Sequence, residues 1–405
     1  MNLHDSITAS ATIRAHYQGT FMPNDNSNQP LPLLFTPLQL RGVTLKNRIV
    51  ISPMCQYSAL DGFANDWHLV HLGQFAIGGA GLVFCEAAAV EEQGRITHGD
   101  LGIWNDAHIA PLERFTEFIK GNDCVPAIQL AHAGRKASMQ RPWLGNGPLN
   151  DVDTQRGDLA WNIVAPSVEP VGPGWLIPHE LSVAEIKAIV EQWKAATRRS
   201  IAAGFDVLEV HGAHGYLLHS FLSPLSNRRT DAYGGSFENR IRLALEIVDA
   251  VRNEWPADKP LFFRTSSSDF SDTGWKVEDN VALARELKVR GVDVIDCSSG
   301  GIAGSATAAN IKRYPGFQVP FAEQVKKEAD ILTQAVGIIL NAAQAEEILQ
   351  SGRADLIAVG REALYDPQWA LRAARELGVD PQFALWPKQY GWWLNARSKT
   401  LQRTS

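Results

Sequence analysis

Residues 207–240 read VLEVHGAHGYLLHSFLSPLSNRRTDAYGGSFENR and say more about the fold than any other stretch of the chain. The segment opens with an apolar, β-branched run that is typical of a buried strand. His211, His214 and Tyr216 follow at the point where that strand should end. A near-continuous apolar strand predicts a parallel sheet covered by helices, and the three proton-handling side chains predict a site for chemistry at its carboxyl edge.

Seven more apolar runs of strand length alternate with longer segments of helical period. The predicted strands are 48–52, 81–87, 125–130, 207–211, 261–265, 292–297, 331–336 and 356–360. The predicted helices include 181–203, 237–254, 277–290, 321–329 and 342–350. Ser182 and Glu185 have the spacing of a capping box at the start of the first of these. This alternation favours an α/β fold with a single closed (β/α)8 TIM barrel.

The remaining segments predict additions to that barrel. An open doubly wound sheet is the alternative fold, but SPMCQYS stands where its G-x-G-x-x-G signature should follow the first strand. Residues 33–45 alternate like a hairpin that caps the bottom of the barrel, and 138–180 predict a long loop subdomain after the third strand. We expect a flexible N-terminal extension over 1–32, the barrel over 33–380 and a C-terminal tail over 381–405.

Composition narrows the class of protein. A net charge of −6 and a pI near 6.0 argue against nucleic acid or an anionic membrane as a partner, so we expect a small-molecule substrate. The N-terminus lacks the apolar core of a secretory signal, and no apolar run is long enough to span a bilayer. Four widely spaced cysteines predict free thiols in a reducing compartment, and the expected location is the cytoplasm.

Polar residues and glycines gather where the predicted strands end, which is where barrels of this kind carry their chemistry. Gly337 and the pair Gly360–Arg361 stand where many barrels bind phosphate, although tight turns alone also explain such glycines. Arg264 ends a buried strand, so it should meet either an anion or a structural ion-pair partner. The H-x-x-H pattern is either half of a metal site or a pair of imidazoles that holds one substrate oxygen.

Six ordered motifs together resemble the old yellow enzyme family of FMN-dependent ene-reductases. They are NRIVISPMCQYSA, GLVFCEAAAVEEQGRIT, IQLAHAGRKAS, the block from His211 to Arg240, DVIDCSSGG and RADLIAVGREAL. The resemblance extends from about residue 34 to residue 393. Cys55, HAGRKAS and the Ser-Ser-Gly at 298–300 make the chain most similar to the thermophilic-like branch, which has a cysteine beside the flavin.

The resemblance implies a site that binds FMN non-covalently. FMN would be lined by Ser52, Pro53, Met54, Cys55, Ala87, Gln129, Arg264, Gly337, Gly360 and Arg361. Cys55 would tune the flavin and Gln129 would bond its pyrimidine edge. The implied substrate pocket consists of Tyr57, His211, His214 and Tyr216.

The implied reaction has two halves that share this pocket. Hydride passes from NADPH, preferred over NADH, to the flavin and from there to the β-carbon of an enone or nitroalkene. His211 and His214 hold the substrate oxygen, and Tyr216 protonates the α-carbon.

Two departures from the family pattern concern the substrate. The tail KQYGWWLNAR offers Trp392, Trp393 or Arg397 where relatives insert one residue into a pocket, in some members that of a neighbouring subunit. We expect a homodimer or homotetramer on this ground. Val336 replaces a tryptophan of some relatives and predicts a different pocket shape. The alternatives are an FMN barrel with another electron acceptor, such as a quinone, a nitro compound or oxygen, and a non-catalytic barrel that binds flavin or phosphate.

Overall fold

The computed structural model describes residues 30–303 and 311–404, and within them the chain forms twelve strands. They are β1 (Leu38–Leu40), β2 (Val43–Leu45), β3 (Ile49–Ile51), β4 (Leu82–Ala89), β5 (Val125–Ala131), β6 (Val164–Ala165), β7 (His179–Glu180), β8 (Val207–Gly212), β9 (Leu261–Ser266), β10 (Val294–Ser298), β11 (Leu332–Ala335) and β12 (Leu356–Val359).

Eight of these strands close a parallel barrel, which confirms the predicted (β/α)8 fold. Its members are β3, β4, β5, β8, β9, β10, β11 and β12, each paired with its neighbour in chain order, and β12 closes back on β3. Each of the eight predicted strands is present. The second one continues past its predicted end to Ala89, with an irregular register between Phe84 and Ala87.

Twelve α-helices accompany the strands in the described residues. They are α1 (Asp66–Ile77), α2 (Ile109–Gly121), α3 (Asp151–Arg156), α4 (Val183–Ala202), α5 (Leu217–Leu222), α6 (Phe237–Glu254), α7 (Val277–Val289), α8 (Val319–Ala329), α9 (Ala342–Gln350), α10 (Arg361–Tyr365), α11 (Trp369–Glu376) and α12 (Lys388–Thr404). The predicted capping box starts α4, because Ser182 Oγ accepts from the Glu185 amide and Glu185 Oε2 accepts from the Ser182 amide.

The predicted hairpin closes the bottom of the barrel. Strands β1 and β2 pair antiparallel, and Leu40 and Leu45 are almost fully buried against the interior residues near the N-terminal ends of the barrel strands. Burying a leucine contributes about 1.5–3 kcal/mol, so the hairpin is a substantial part of the core. In the described residues, this hairpin covers one end of the barrel and leaves the opposite end, where the strands finish, for ligands.

The segments around the barrel agree with the pattern of the sequence. Residues 138–180 contain α3 and the short parallel pair β6 and β7, as expected of a loop subdomain. The tail forms α12, on which Trp392 and Trp393 are 66% and 67% exposed. Their role at a subunit contact, like that of Arg397, stays a prediction. The predicted extension over 1–32 lies outside the described residues except for 30–32. Over 30–303 and 311–404, no helix combines the length and apolar content needed to cross a bilayer.

Candidate active site

Three aromatic side chains meet at the end of β8. The ring centroids of His211 and His214 are 5.1 Å apart, and that of Tyr216 is 5.0 Å from His211 and 6.5 Å from His214. The rings meet nearly at right angles, at 81–88°. Strand β8 ends at Gly212, and the backbone then turns through His214, whose φ is +61°. The turn thus brings together the three residues that the sequence placed within six positions.

Both histidines are neutral hydrogen-bonding groups. His211 Nδ1 accepts from the amide of Ala213 at 3.2 Å, so the ring proton is on Nε2. His214 Nε2 lies 2.7 Å from the hydroxyl of Ser298. Burial, followed by the Arg264 guanidinium, lowers the pKa of both imidazoles well below the usual value. The part of the chain that the structure describes has no group of three His, Cys, Asp or Glu side chains arranged to hold a metal ion.

Tyr216 faces the loop that follows β3. Tyr216, Tyr57 and Cys55 pack against one apolar cluster that includes Ile96 and Ala133. Burial raises the pKa of the Tyr216 hydroxyl well above its ordinary value, and Cys55 adds to the increase. Burial likewise raises the pKa of Tyr57. Both phenols therefore keep their protons at neutral pH.

The buried side chain of Glu86 holds the loop over 52–57 in place. Glu86 Oε2 accepts from the amide of Gln56 at 2.9 Å, and Glu86 Oε1 lies 3.1 Å from His68 Nε2 with both side chains buried. Burial raises the pKa of the Cys55 thiol well above its ordinary value, and the charge of Glu86 raises it further. Cys55 is therefore a protonated thiol. No motif in the sequence indicates this role for Glu86 or His68.

A layer of buried polar side chains crosses the barrel interior. Gln129 Nε2 donates to Glu209 Oε1 at 2.8 Å, and Arg264 Nε lies 3.1 Å from Asp296 Oδ2. Burial, followed by Asp296, raises the pKa of Glu209 well above its usual value, and burial raises that of Asp296. Arg264 therefore has the structural ion-pair partner that the sequence left as one alternative. Its terminal nitrogens make no hydrogen bond with the described residues.

Lys136 belongs to the site, although the sequence analysis gave it no role. Its Nζ donates to the carbonyl oxygen of His214 at 2.7 Å and also to that of Gly301. Burial, with a smaller effect of Arg135, lowers the pKa of Lys136 to about 7. The lysine thus fastens the His214 turn to the loop after β10.

The predicted FMN-binding residues have the features that such a cofactor needs. Ser52 Oγ is buried without a partner in the described residues. A Cβ on Gly360 would make van der Waals contacts at 3.9 Å with Met54 and Ser52, so the glycine lies beside two other residues of the predicted set. Arg361 is exposed and has no ion pair within the described chain. A free hydroxyl and the guanidinium groups of Arg264 and Arg361 suit a planar polar ring with a phosphate.

Other predicted residues have structural reasons for their identity. Gly337 has a φ of +116°, and a Cβ there would lie 2.9 Å from Gln318 Nε2, so the turn alone requires glycine. Ala87 and Tyr216 line the same narrow pocket, so a residue of the predicted flavin set lies near the predicted proton donor.

The sequence matches the NADH:flavin oxidoreductase / NADH oxidase family over residues 33–379. The chain belongs to this family. Among its relatives, the NADPH dehydrogenase of Bacillus subtilis is 48% identical over 349 residues, which cover 86% of this chain and 96% of that protein. A NADH:flavin oxidoreductase of Gibberella zeae is 45% identical over 389 residues, with 92% of both chains covered.

Solved structures of this family share the fold. Morphinone reductase superposes with a TM-score of 0.70 at 28% identity, covering 87% of this chain and 91% of that one. 2-Naphthoyl-CoA reductase superposes with a TM-score of 0.76 at 23% identity, and the chain spans only 52% of its length, so it shows the fold alone. The protein is therefore an FMN-dependent NADH/NADPH oxidoreductase of the old yellow enzyme type.

Proposed function

We propose that this enzyme reduces activated C=C bonds of α,β-unsaturated carbonyl or nitro compounds, with NADPH preferred over NADH as reductant. The observation that carries the proposal is the ring triad at the end of β8. Two neutral imidazoles and one protonated phenol lie with ring centroids 5.0–6.5 Å apart. Such a triad can bind an oxygen and deliver a proton two atoms away. The names of the relatives, several of them NADPH dehydrogenases, favour NADPH.

FMN, when bound, would supply hydride transfer between the nicotinamide and the alkene. The residues proposed to hold it come from the ends of several barrel strands: Ser52, Pro53, Met54, Cys55, Ala87, Gln129, Arg264, Gly337, Gly360 and Arg361. The unpaired end of Arg264 supports this proposal, since a buried cation needs an anionic or dipolar partner. The amide of Gln129 is oriented by Glu209, which leaves its carbonyl oxygen to accept from a ring N–H.

His211 and His214 hold the substrate oxygen in this proposal. The Nε2–H of His211 is a donor because its Nδ1 is occupied by the Ala213 amide. Ser298 orients the ring of His214. Donors placed at an oxygen that gains negative charge in the transition state typically accelerate a reaction by about 100- to 1,000-fold each. Neutral donors suit this task, because they stabilise the oxygen without protonating it first.

Tyr216 delivers the proton. Its hydroxyl makes no hydrogen bond with the described residues, and its pKa lies above the ordinary value because of burial and Cys55. The phenol therefore remains protonated until a carbon with carbanion character is next to it. Tyr57 lies on the opposite wall and completes the substrate pocket in this proposal.

The test separates the two half-reactions of the FMN-loaded enzyme. Replacing Tyr216→Phe should leave the bleaching of the flavin absorbance by NADPH nearly intact. Recovery of that absorbance with cyclohexenone should slow by about 100-fold or more, the usual effect of a lost proton donor. Stopped-flow absorbance measures both rates. Equal slowing of the two steps would contradict the role of Tyr216. If NADPH bleaches the flavin of the wild-type enzyme and no enone restores its absorbance, the enzyme uses another electron acceptor.

A further inference from the structure

The turn that carries the ring triad is a left-handed one. His214 and Gly215 have φ values of +61° and +76°. Position 215 has no room for a side chain, because a Cβ there would lie 2.2 Å from the carbonyl oxygen of Gly301. Helix α5 begins at Leu217, directly after Tyr216. The position of the Gly215 amide therefore determines where the backbone of Tyr216 enters the helix and where its phenol points.

The two ends of this turn are anchored differently. His214 has three contacts of its own: its amide donates to Ser266 Oγ at 2.9 Å, its ring lies 2.7 Å from Ser298 Oγ, and its carbonyl oxygen accepts from Lys136 at 2.7 Å. The Gly215 amide has one partner in the described chain, the Nδ1 atom of His219, at 2.8 Å. The backbone of Tyr216 bonds to Ala213 and Ser220, and His219 is the side chain that holds the turn directly before it.

His219 is held in turn by a buried acid from the next loop. Its Nε2 lies 3.0 Å from Asp269 Oδ1, and both side chains are fully buried. Because Nδ1 accepts from the Gly215 amide, the ring proton must be on Nε2, facing the carboxylate. Burial alone would raise the pKa of Asp269, but the interaction with His219, together with the hydrogen bonds from Ser223 and Trp275, lowers it below its usual value.

Asp269 itself is locked in place. Its Oδ2 accepts from Ser223 Oγ at 2.6 Å and from the Trp275 amide at 2.8 Å. Its own amide donates to the Trp275 carbonyl at 2.9 Å, which closes a tight loop after β9. A series of contacts therefore links the loop after β9 to the turn. It runs from Trp275 through Asp269 and His219 to Gly215.

We propose that His219 and Asp269 are a positioning pair that places Tyr216 for proton delivery. The pair fixes the tautomer in which His219 accepts from Gly215, and this contact sets the approach of the phenol to the substrate carbon. The inference rests on the proposed role of Tyr216 as proton donor. Neither His219 nor Asp269 touches the reacting atoms, so their effect passes through the backbone of Gly215.

Three variants of the FMN-loaded enzyme test the pair. His219→Leu removes the acceptor, whereas His219→Asn keeps an oxygen at the δ position that Nδ1 occupies. Asp269→Asn acts through the orientation of the new side-chain amide. Ser223 and the Trp275 amide donate to the Oδ2 position, so the asparagine oxygen takes that position. The asparagine NH₂ group then faces His219 Nε2. The imidazole proton of His219 then moves to Nδ1, where it points at the Gly215 N–H and breaks that hydrogen bond.

His219→Leu and Asp269→Asn should slow reoxidation of the flavin by cyclohexenone by about 10- to 100-fold, the usual consequence of a misplaced reacting group. His219→Asn should recover most of this rate. Bleaching by NADPH should change little in all three, because His214 keeps its own anchors. Stopped-flow absorbance measures these rates, and if His219→Leu does not fold, Asp269→Asn carries the test by itself.

A double variant separates positioning from a general loss of structure. In the Tyr216→Phe background, His219→Leu should slow reoxidation no further, because the group that it places is already gone. Additive losses, or a wild-type rate in Asp269→Asn, would overturn the positioning role. If Tyr216→Phe itself keeps the wild-type rate, the proposed function fails. If Tyr216→Phe slows reoxidation and the variants of His219 and Asp269 do not, the positioning role fails and the proposed function stands.

Discussion

The loop over 52–57 and the turn over 211–216 pack against the same apolar cluster, and each is supported by a carboxylate and a histidine, in opposite order. In the first, a carboxylate contacts the backbone and a histidine supports it: Glu86 accepts from Gln56, and His68 lies behind Glu86. In the second, a histidine contacts the backbone and a carboxylate supports it: His219 accepts from Gly215, and Asp269 lies behind His219.

The order of carboxylate and histidine decides whether a negative charge lies next to the backbone of the loop or turn. Glu86 next to Gln56 brings a negative charge close to Cys55, whose thiol pKa is raised first by burial and then by that charge. At Gly215 the imidazole of His219 intervenes, so the carboxylate of Asp269 is one residue further from the turn. The first arrangement stabilises a protonated thiol. The second holds a backbone amide without placing an anion directly on the turn.

The largest expected effect is on stability. Asp269→Ala removes the acceptor of two groups, the Ser223 hydroxyl and the Trp275 amide, and the close contact of His219. Glu86→Ala removes the acceptor of one group, the Gln56 amide, and the close contact of His68. Each orphaned buried donor costs about 1–3 kcal/mol. Asp269→Ala should therefore lower the free energy of unfolding more than Glu86→Ala does.

Urea unfolding monitored by circular dichroism measures both changes. The exposed Asp66 is a matched control, and Asp66→Ala should stay within about 0.5 kcal/mol of the wild type. An equal or larger cost for Glu86→Ala would show that the number of donors does not explain the difference between the two pairs.

The next effect concerns the thiol of Cys55. Glu86→Gln removes the charge that helps to raise the pKa of this thiol, so the thiolate fraction at pH 8 should increase. A decrease in pKa of half a unit to one unit would speed alkylation by iodoacetamide about three- to tenfold. Mass spectrometry follows the reaction site by site. Cys124 and Cys297 are buried and provide internal references. An unchanged rate would mean that burial alone sets the pKa of Cys55.

The smallest effect should come from a single anchor of His214. Ser298→Ala removes the hydroxyl 2.7 Å from the ring, but the Ser266 and Lys136 contacts remain. A phenolic ligand should bind with its charged oxygen in place of the substrate oxygen at His211 and His214. The loss of one hydrogen bond, about 0.5–1.5 kcal/mol, should weaken the binding of such a ligand by about two- to tenfold. Titration of the flavin absorbance with p-hydroxybenzaldehyde measures it. A loss of affinity of more than a hundredfold would show that Ser298 by itself positions the ring of His214, without a share from Ser266 and Lys136.

Much of the architecture follows from local patterns. Eight apolar runs gave the strands of the barrel, because residues buried on both faces of a parallel sheet cannot be polar without a partner. The capping box at Ser182 and the hairpin before β3 were also visible as short-range signals. His211, His214 and Tyr216 were recognisable because they lie close together in the sequence at a strand end. Their roles in catalysis and those of the flavin residues stay predictions.

The supporting residues gave no such signal. Lys136 is 78 residues from His214, whose carbonyl oxygen it binds, and Asp269 is 46 residues from Ser223. No spacing rule predicts contacts between different β/α units. Glu209 and Asp296 looked like ordinary strand residues, although the barrel interior buries both of them and raises their pKa values. Arg264 could be placed at a strand end, but only the register of β9 against β10 shows that Asp296 is its partner.

The sequence by itself determined the barrel, the order of its strands and which polar side chains lie at the strand ends, because hydrophobic periodicity and adjacency act over a few residues. The tertiary structure alone decided how those side chains are tuned. Burial sets whether Tyr216, Cys55 and the two histidines carry charge, and it depends on every element that covers the site. Likewise, only the closure of the barrel brings Asp269 and His219 together and so fixes which nitrogen of the imidazole faces the turn.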